Sequence, residues 1–229
     1  MARVAVPAFG RVLAVSPHLD DAVLSSAALI SAHPGSTVLT VFAGVPARYE
    51  GLSEWDAESG FVEGDDVVAL RREEDRRATA HLGARSLWLD FLDDQYTDVR
   101  PAADAVASEI RTHVVGLEVD TIAFPLGQGH GDHERTHEAC ALLLQHEFGL
   151  VEHWVAWADI PYRSRHPELY ADRLKSLQDI GFSLTSFGVE PNDAKRAAVG
   201  EYPTQARALG PRNMSDAERP EQFYLVTRQ

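Results

Sequence analysis

The chain has 229 residues, 45% hydrophobic and 24% charged, the proportions of an ordinary globular domain, and nothing in it marks a linker, so one domain over 1–229 is expected. Lys plus Arg at 21 against Asp plus Glu at 35 gives a net charge of -14, which argues against nucleic acid or an anionic membrane surface as a partner. No apolar run approaches the ~20 residues that span a bilayer, the stretch from Met1 to Ser16 reads as a tail plus a first strand, not a secretory signal, and the single Cys140 needs no oxidising compartment; a cytoplasmic protein is expected, with self-association left open.

The apolar run Val12 to Val15 predicts a strand. Asp21 to Ala32 carries Val23, Leu24, Ala27, Ala28 and Ile30 at helical spacing and is closed by His33-Pro34-Gly35. Thr37 to Phe42 is a β-branched run and predicts a second buried strand. Residues 43–64 form a long connection holding Tyr49, Trp55 and Phe61, either a substrate lid or an insertion. A helix follows over Asp65 to Leu82, ended by Gly83, and its charged run Arg71 to Arg77 predicts a solvated face. Ser86 to Leu89 is a short strand, Pro101 to Leu117 a helix and Asp120 to Phe124 a strand. A glycine-rich loop then leads into a helix over Asp132 to Phe148. Strands at Trp154 to Ala158, Leu184 to Gly188 and Phe223 to Thr227 alternate with helices at Pro167 to Ile180 and Asp193 to Leu209. Such alternation predicts an α/β fold, a Rossmann-like, mostly parallel sheet with helices on both faces.

Two polar clusters fall at carboxyl ends of predicted strands, where open α/β sheets bind ligands. The first is Pro17-His18-Leu19-Asp20-Asp21. It has no glycine and two negative charges, so it does not suit a pyrophosphate. A capping role for one of its carboxylates is the plain alternative to a site. The second is Gly129-His130-Gly131-Asp132-His133. If the two meet across the top of the sheet, they supply the three His/Asp ligands of a catalytic zinc site with a position left for water. A competing pattern, His133-Glu134-Arg135-Thr136-His137, matches H-E-x-x-H, which would make a zinc peptidase; it leaves His18, Asp20 and Asp21 unused. The other histidines, His33, His81, His113, His146, His153 and His166, are expected to be structural. His137 belongs beside the ligands or on the helix surface.

Taken together, Pro17 to Asp21 and His130 to His133 resemble the LmbE-like (PIG-L) family of zinc-dependent N-deacetylases. Arg71 and Glu74 ahead of Leu82-Gly83 resemble its helix motif, and Lys195, Tyr202 and Gln205 its C-terminal pattern. The resemblance implies a Rossmann-like fold, one zinc, and removal of an acetyl group from an N-acetylated amino sugar, glycoside or related amide. It implies His18, Asp21 and His133 as zinc ligands and Asp20 as general base. His130, when protonated, would stabilise the oxyanion or protonate the leaving amine; Asp132 would orient its ring or cap the helix. Arg71 would grip substrate hydroxyls or a phosphate. Two positions depart from the family: Ala22 stands where an acid is frequent, and Gln128 where some members have tyrosine. Glu50, Glu54, Asp56, Glu58, Glu63, Asp65 and Asp66 cluster without Lys or Arg, so a lid there favours a neutral or cationic substrate. The alternatives to a deacetylase are the peptidase and a sugar-binding module without catalysis.

Overall fold

A computed structural model describes residues 8–229; the tail expected ahead of the first strand lies, over residues 1–7, outside them. Strands β1 (Val12–Ser16), β2 (Thr37–Thr40), β3 (Arg85–Trp88), β4 (Thr121–Pro125) and β5 (His153–Trp157) run parallel. β6 (Phe182–Val189) and β7 (Glu221–Arg228) complete the sheet, with β7 antiparallel to both β5 and β6. The strand order is β3-β2-β1-β4-β5-β7-β6. The helices are α1 (Asp21–Ser31), α2 (Glu54–Ser59), α3 (Val67–His81), α4 (Ala103–Leu117), α5 (Gly131–His146), α6 (Tyr162–Arg165), α7 (Pro167–Asp179), α8 (Asp193–Val199) and α9 (Pro203–Met214).

Two apolar layers sandwich the sheet, which is why its central strands read as continuous apolar runs. Leu13 and Val15 pack with Ile110, Cys140, Leu144 and Leu177 under α4, α5 and α7. Val12 and Ala14 point the other way, to Val23, Ala27, Ala78 and Ala198 of α1, α3 and α8. The period of two along a strand and the two helix layers account for each other. β1 connects to β2 on one side while β4 flanks it on the other, so the carboxyl ends of β1 and β4 open a crevice at a topological switch point. Both polar clusters leave the sheet there.

Four features differ from the sequence reading. The helix expected over 193–209 is two helices, because Pro203 has no N–H to give and turns Tyr202 out of helical geometry. The 43–64 connection contains α2, started by Ser53, whose hydroxyl accepts the Asp56 N–H at 3.0 Å. α6 and a 3₁₀ turn at Asp94–Tyr96 lack an apolar period and were not predicted. The charged run is a solvated face only in part: Arg72, Glu73, Arg76 and Arg77 reach solvent, but Arg71, Glu74 and Asp75 are buried, each with a partner outside the helix. Cys140 is buried and unpaired, as its apolar surroundings suggest.

α8 is fastened to β7 by a buried ion pair whose two members also bond to α1. Lys195 Nζ lies 2.9 Å from Glu221 Oε1 and also donates to the Leu24 carbonyl at 2.8 Å. The Glu221 carboxylate accepts the N–H groups of Ala28 and Leu29. Burial pushes the Glu221 carboxyl above its ordinary range, although the ammonium opposes the shift. Removing one partner strands a charge in the interior, which costs ~3–5 kcal/mol. Lys195→Met is therefore expected to lose about that much in urea unfolding, and adding Glu221→Gln to recover part of it. A Lys195→Met protein as stable as wild type would show that the pair does not hold α8.

Candidate metal centre

The turn after β1 is tied by one hydroxyl. Ser16 Oγ donates to the His18 carbonyl at 2.6 Å and accepts the Ala22 N–H at 3.0 Å. That second bond satisfies an amide in the first turn of α1 that an N-cap side chain ordinarily takes. Asp20 occupies the N-cap position but makes no capping bond, and its side chain lines the central cavity. Asp21 bends back so that its Oδ2 accepts the His18 N–H at 2.9 Å. Neither carboxylate is spent on capping.

The loop after β4 needs its glycines. Gly127 and Gly129 have φ of 74° and 70°, and a Cβ on either would lie 2.5 Å from His137 or from the Tyr162 ring. The chain then enters α5 with His130 as N-cap: its Nδ1 accepts the Asp132 N–H at 3.2 Å. Asp132 was expected to orient His130 or to cap the helix. Its carboxylate does neither, because it turns to His18 Nε2 and to the Asp94 N–H, both at 3.1 Å.

At the crevice the clusters converge. His133 Nε2 lies 3.1 Å from Asp21 Oδ2, and His18 Nδ1 lies 3.3 Å from the same oxygen. All three donor atoms fall within 4.8 Å of one another. Zinc bonds of ~2.0–2.1 Å place tetrahedral ligand atoms roughly 3.3 Å apart, so two imidazoles and a carboxylate at these spacings fit that ion. The outer nitrogen of each ring is held by a carboxylate: His18 Nε2 by Asp132, and His133 Nδ1 by Asp159 at 2.7 Å. This arrangement fixes each ring and leaves its inner nitrogen free to coordinate. Burial disfavours a charged His133, but Asp21 and Asp159 outweigh it and raise its pKa to about 9. Burial likewise opposes ionised Asp21, and His133 and His18 reverse the balance and hold it well below the carboxylate range. Asp20 moves the other way: burial first, then the Asp21 charge, push it up to about 8.

His130 differs from its expected state. Burial, then the charges of His18 and His133, lower its pKa to about 4. The backbone bond to Nδ1 requires a lone pair on that nitrogen, so the ring is neutral with its proton on Nε2. The H-E-x-x-H pattern does not assemble. His137 is buried with Nδ1 donating to the Pro125 carbonyl at 3.0 Å, and Glu134 pairs with Arg173 at 3.2 Å.

The profile of the GlcNAc-PI de-N-acetylase (PIG-L) family matches residues 13–144. The chain belongs to this family. It is 28% identical over 232 residues to the 2'-N-acetylparomamine deacetylase of Niallia circulans, covering 85% of this chain and 80% of that protein. The fold is shared with solved structures, among them two deacetylases. One is the A40926 pseudoaglycone deacetylase Dbv21, at 27% identity, a TM-score of 0.76 and coverage of 95% of this chain and 97% of that one. The other is a zinc-inhibited form of the teicoplanin deacetylase Orf2, at 25% identity, a TM-score of 0.75 and coverage of 96% and 98%.

In this PIG-L chain the cavity above the donor atoms has a volume of about 200 Å³ and is lined also by Trp55, Asp93, Asp94, Tyr162 and Gln205. Of these, the sequence points to Gln205 and, within the 43–64 connection, to Trp55. Burial and the nearby carboxylates keep the Tyr162 hydroxyl protonated. A braced roof covers the cavity. Arg71 is ion-paired with Asp56 at 2.9 Å, donates to Ser59 at 3.0 Å and sits over the Phe61 ring. Tyr96 donates to the same Asp56, and Ser53 to Gln95. Trp55 Nε1 reaches Gln205 Oε1 at 3.3 Å, while Glu74 takes the N–H and hydroxyl of Thr204 at the start of α9. The 43–64 segment is thus pinned to α3 and α9. Arg71 also borders a small cavity beside His18 and Asp93, and its Nε has no partner among the described residues.

Losing a carboxylate behind a ligating histidine typically costs 10–100-fold in metal affinity. Asp159→Ala is expected to weaken zinc by about that factor in competition with a chromophoric chelator, and His137→Ala to leave it unchanged. Loss of zinc affinity in His137→Ala would assign the metal to the H-E-x-x-H residues.

Proposed function

We propose that this protein is a zinc-dependent N-deacetylase that hydrolyses the acetamide of an N-acetylated amino sugar, glycoside or related glycoconjugate. The observation that carries the reading is the grouping of His18 Nδ1, Asp21 Oδ2 and His133 Nε2 with the uncommitted Asp20 carboxylate beside them. Membership of the PIG-L family and likeness to deacetylases named for acetylparomamine, teicoplanin and the A40926 pseudoaglycone support it. A lone buried thiol suits a reducing compartment, and we assign the protein to the cytoplasm.

Held by His18, Asp21 and His133, zinc would act as a Lewis acid on the acetyl carbonyl and lower the pKa of a bound water to about 7. Asp20 takes the proton of the attacking water. The same carboxyl then returns it to the nitrogen as the C–N bond breaks. Acetate and a free amine result. His130 serves as a neutral donor to the developing oxyanion through Nε2–H, its tautomer fixed by the Asp132 N–H. Asp132 and Asp159 orient the ligating rings. Arg71 shapes the substrate space through Asp56 and Ser59, the partners that hold its guanidinium.

The two adjacent carboxylates separate catalysis from metal binding. Asp20→Asn is expected to retain zinc and lose ~10²- to 10⁴-fold in kcat/KM on an N-acetyl amino-sugar panel followed by free amine. Asp21→Ala is expected to lose zinc and turnover together. Near wild-type turnover in Asp20→Asn, or zinc loss there, would reverse the assignment.

A further inference from the structure

Most polar groups around the catalytic cavity are acceptors or are already engaged. Asp20, Asp21, Asp93 and Asp94 bring carboxyl oxygens. Trp55 spends its N–H on Gln205, and Gln95 spends its amide on Asp93. Tyr162 also lines the cavity, and its hydroxyl has no hydrogen-bond partner among the described residues. The Tyr162 ring meets the His133 ring edge-on, with centroids 5.0 Å apart and planes at 76°. His130 packs against His133 in the same manner, at 5.7 Å and 60°. Two donor-bearing rings thus flank one of the histidines of the metal centre. α6, which carries Tyr162, is four residues long, yet the chain around it is tied to several other elements. Asp159 holds His133 and the Gly127 N–H, and the Ile160 N–H goes to Ser25 at 3.0 Å. Arg163 donates to the Pro220 carbonyl at 2.9 Å, and the Ser164 hydroxyl bonds Asp216. The loop after β4 closes on the phenol ring, since a Cβ on Gly129 would lie 2.5 Å from it. What this bracing presents to the cavity is an uncommitted donor.

We propose that Tyr162 is a further catalytic residue: its hydroxyl donates, together with His130 Nε2–H, to the acetyl oxygen as that atom takes on negative charge. This rests on the deacetylase reading and adds a second donor to it. The hydroxyl keeps its proton throughout and stabilises charge without transferring anything. Preorganised donors aimed at such an oxygen act strongly in a site shielded from water. A phenol suits a cavity rich in carboxylates, because it brings a donor with no positive charge for them to pair with.

The test is Tyr162→Phe on the zinc-loaded full chain, a change that keeps the ring beside Gly129 and His133 and removes only the hydroxyl. Zinc affinity, by competition with a chromophoric chelator, is expected to match wild type. On the N-acetyl amino-sugar panel kcat is expected to fall ~10²- to 10³-fold with KM little changed, the loss typical of one oxyanion donor. Acetohydroxamate brings an anionic oxygen to zinc without needing turnover, and by calorimetry it is expected to bind about 10-fold more weakly to the variant. A wild-type kcat or a wild-type acetohydroxamate Kd in Tyr162→Phe overturns the proposal. Zinc loss in parallel with activity also overturns it, and leaves Tyr162 a brace for His133. Weaker acetohydroxamate binding in the variant, with no sugar turned over by wild type, sustains the donor and rejects the deacetylase.

Discussion

One carboxylate oxygen joins the two halves of this site. Asp21 Oδ2 takes the His18 amide and lies beside both the His18 and the His133 rings. It is the point where the turn after β1 meets the loop after β4. Their meeting follows from the strand order, since the switch of direction between β1 and β4 leaves a crevice that their trailing segments enter. Such proximity of negative charge and imidazole inside the protein is costly without compensation. Asp132 and Asp159 supply it from behind, and the donor set matches a divalent ion in front.

Two other devices depend on this arrangement. Ser16 caps α1 from the strand, which frees Asp20 to stand in the cavity as a raised-pKa carboxyl. His130 caps α5 through Nδ1, and that bond decides its tautomer and therefore its chemistry. Around them α3 acts as a beam, holding α2 through Arg71 and α9 through Glu74. Asp75 adds Trp88 and Tyr202 to the same helix at 2.8 Å each. A cavity with a fixed floor and roof positions a substrate better than one covered by a loose loop.

Much of this was legible in the sequence, for identifiable reasons. Strands with apolar residues on both faces and helices with one apolar side leave periodic traces, so the sheet and most helices were readable. His18, Asp20, Asp21, His130, Asp132 and His133 stood out because dense polar residues directly after a buried strand have few structural uses. Asp93, Asp159 and Tyr162 left no such trace; the first two come from connecting segments and Tyr162 opens the four-residue α6, and the relation of each to the site exists only in three dimensions. The charged run on α3 misled because burial of Arg71 or Glu74 is set by Asp56 and Thr204, which lie far along the chain. The charge state of His130 was hidden for the same reason: it depends on one backbone N–H and two neighbouring rings.

The most direct test of the account is X-ray absorption at the zinc edge on protein loaded with one equivalent of zinc. Two imidazoles with oxygen and no sulfur ligand are expected at ~2.0–2.1 Å, with one imidazole fewer in His18→Ala and in His133→Ala. Two imidazoles persisting in His18→Ala, and one lost in His137→Ala, would contradict it.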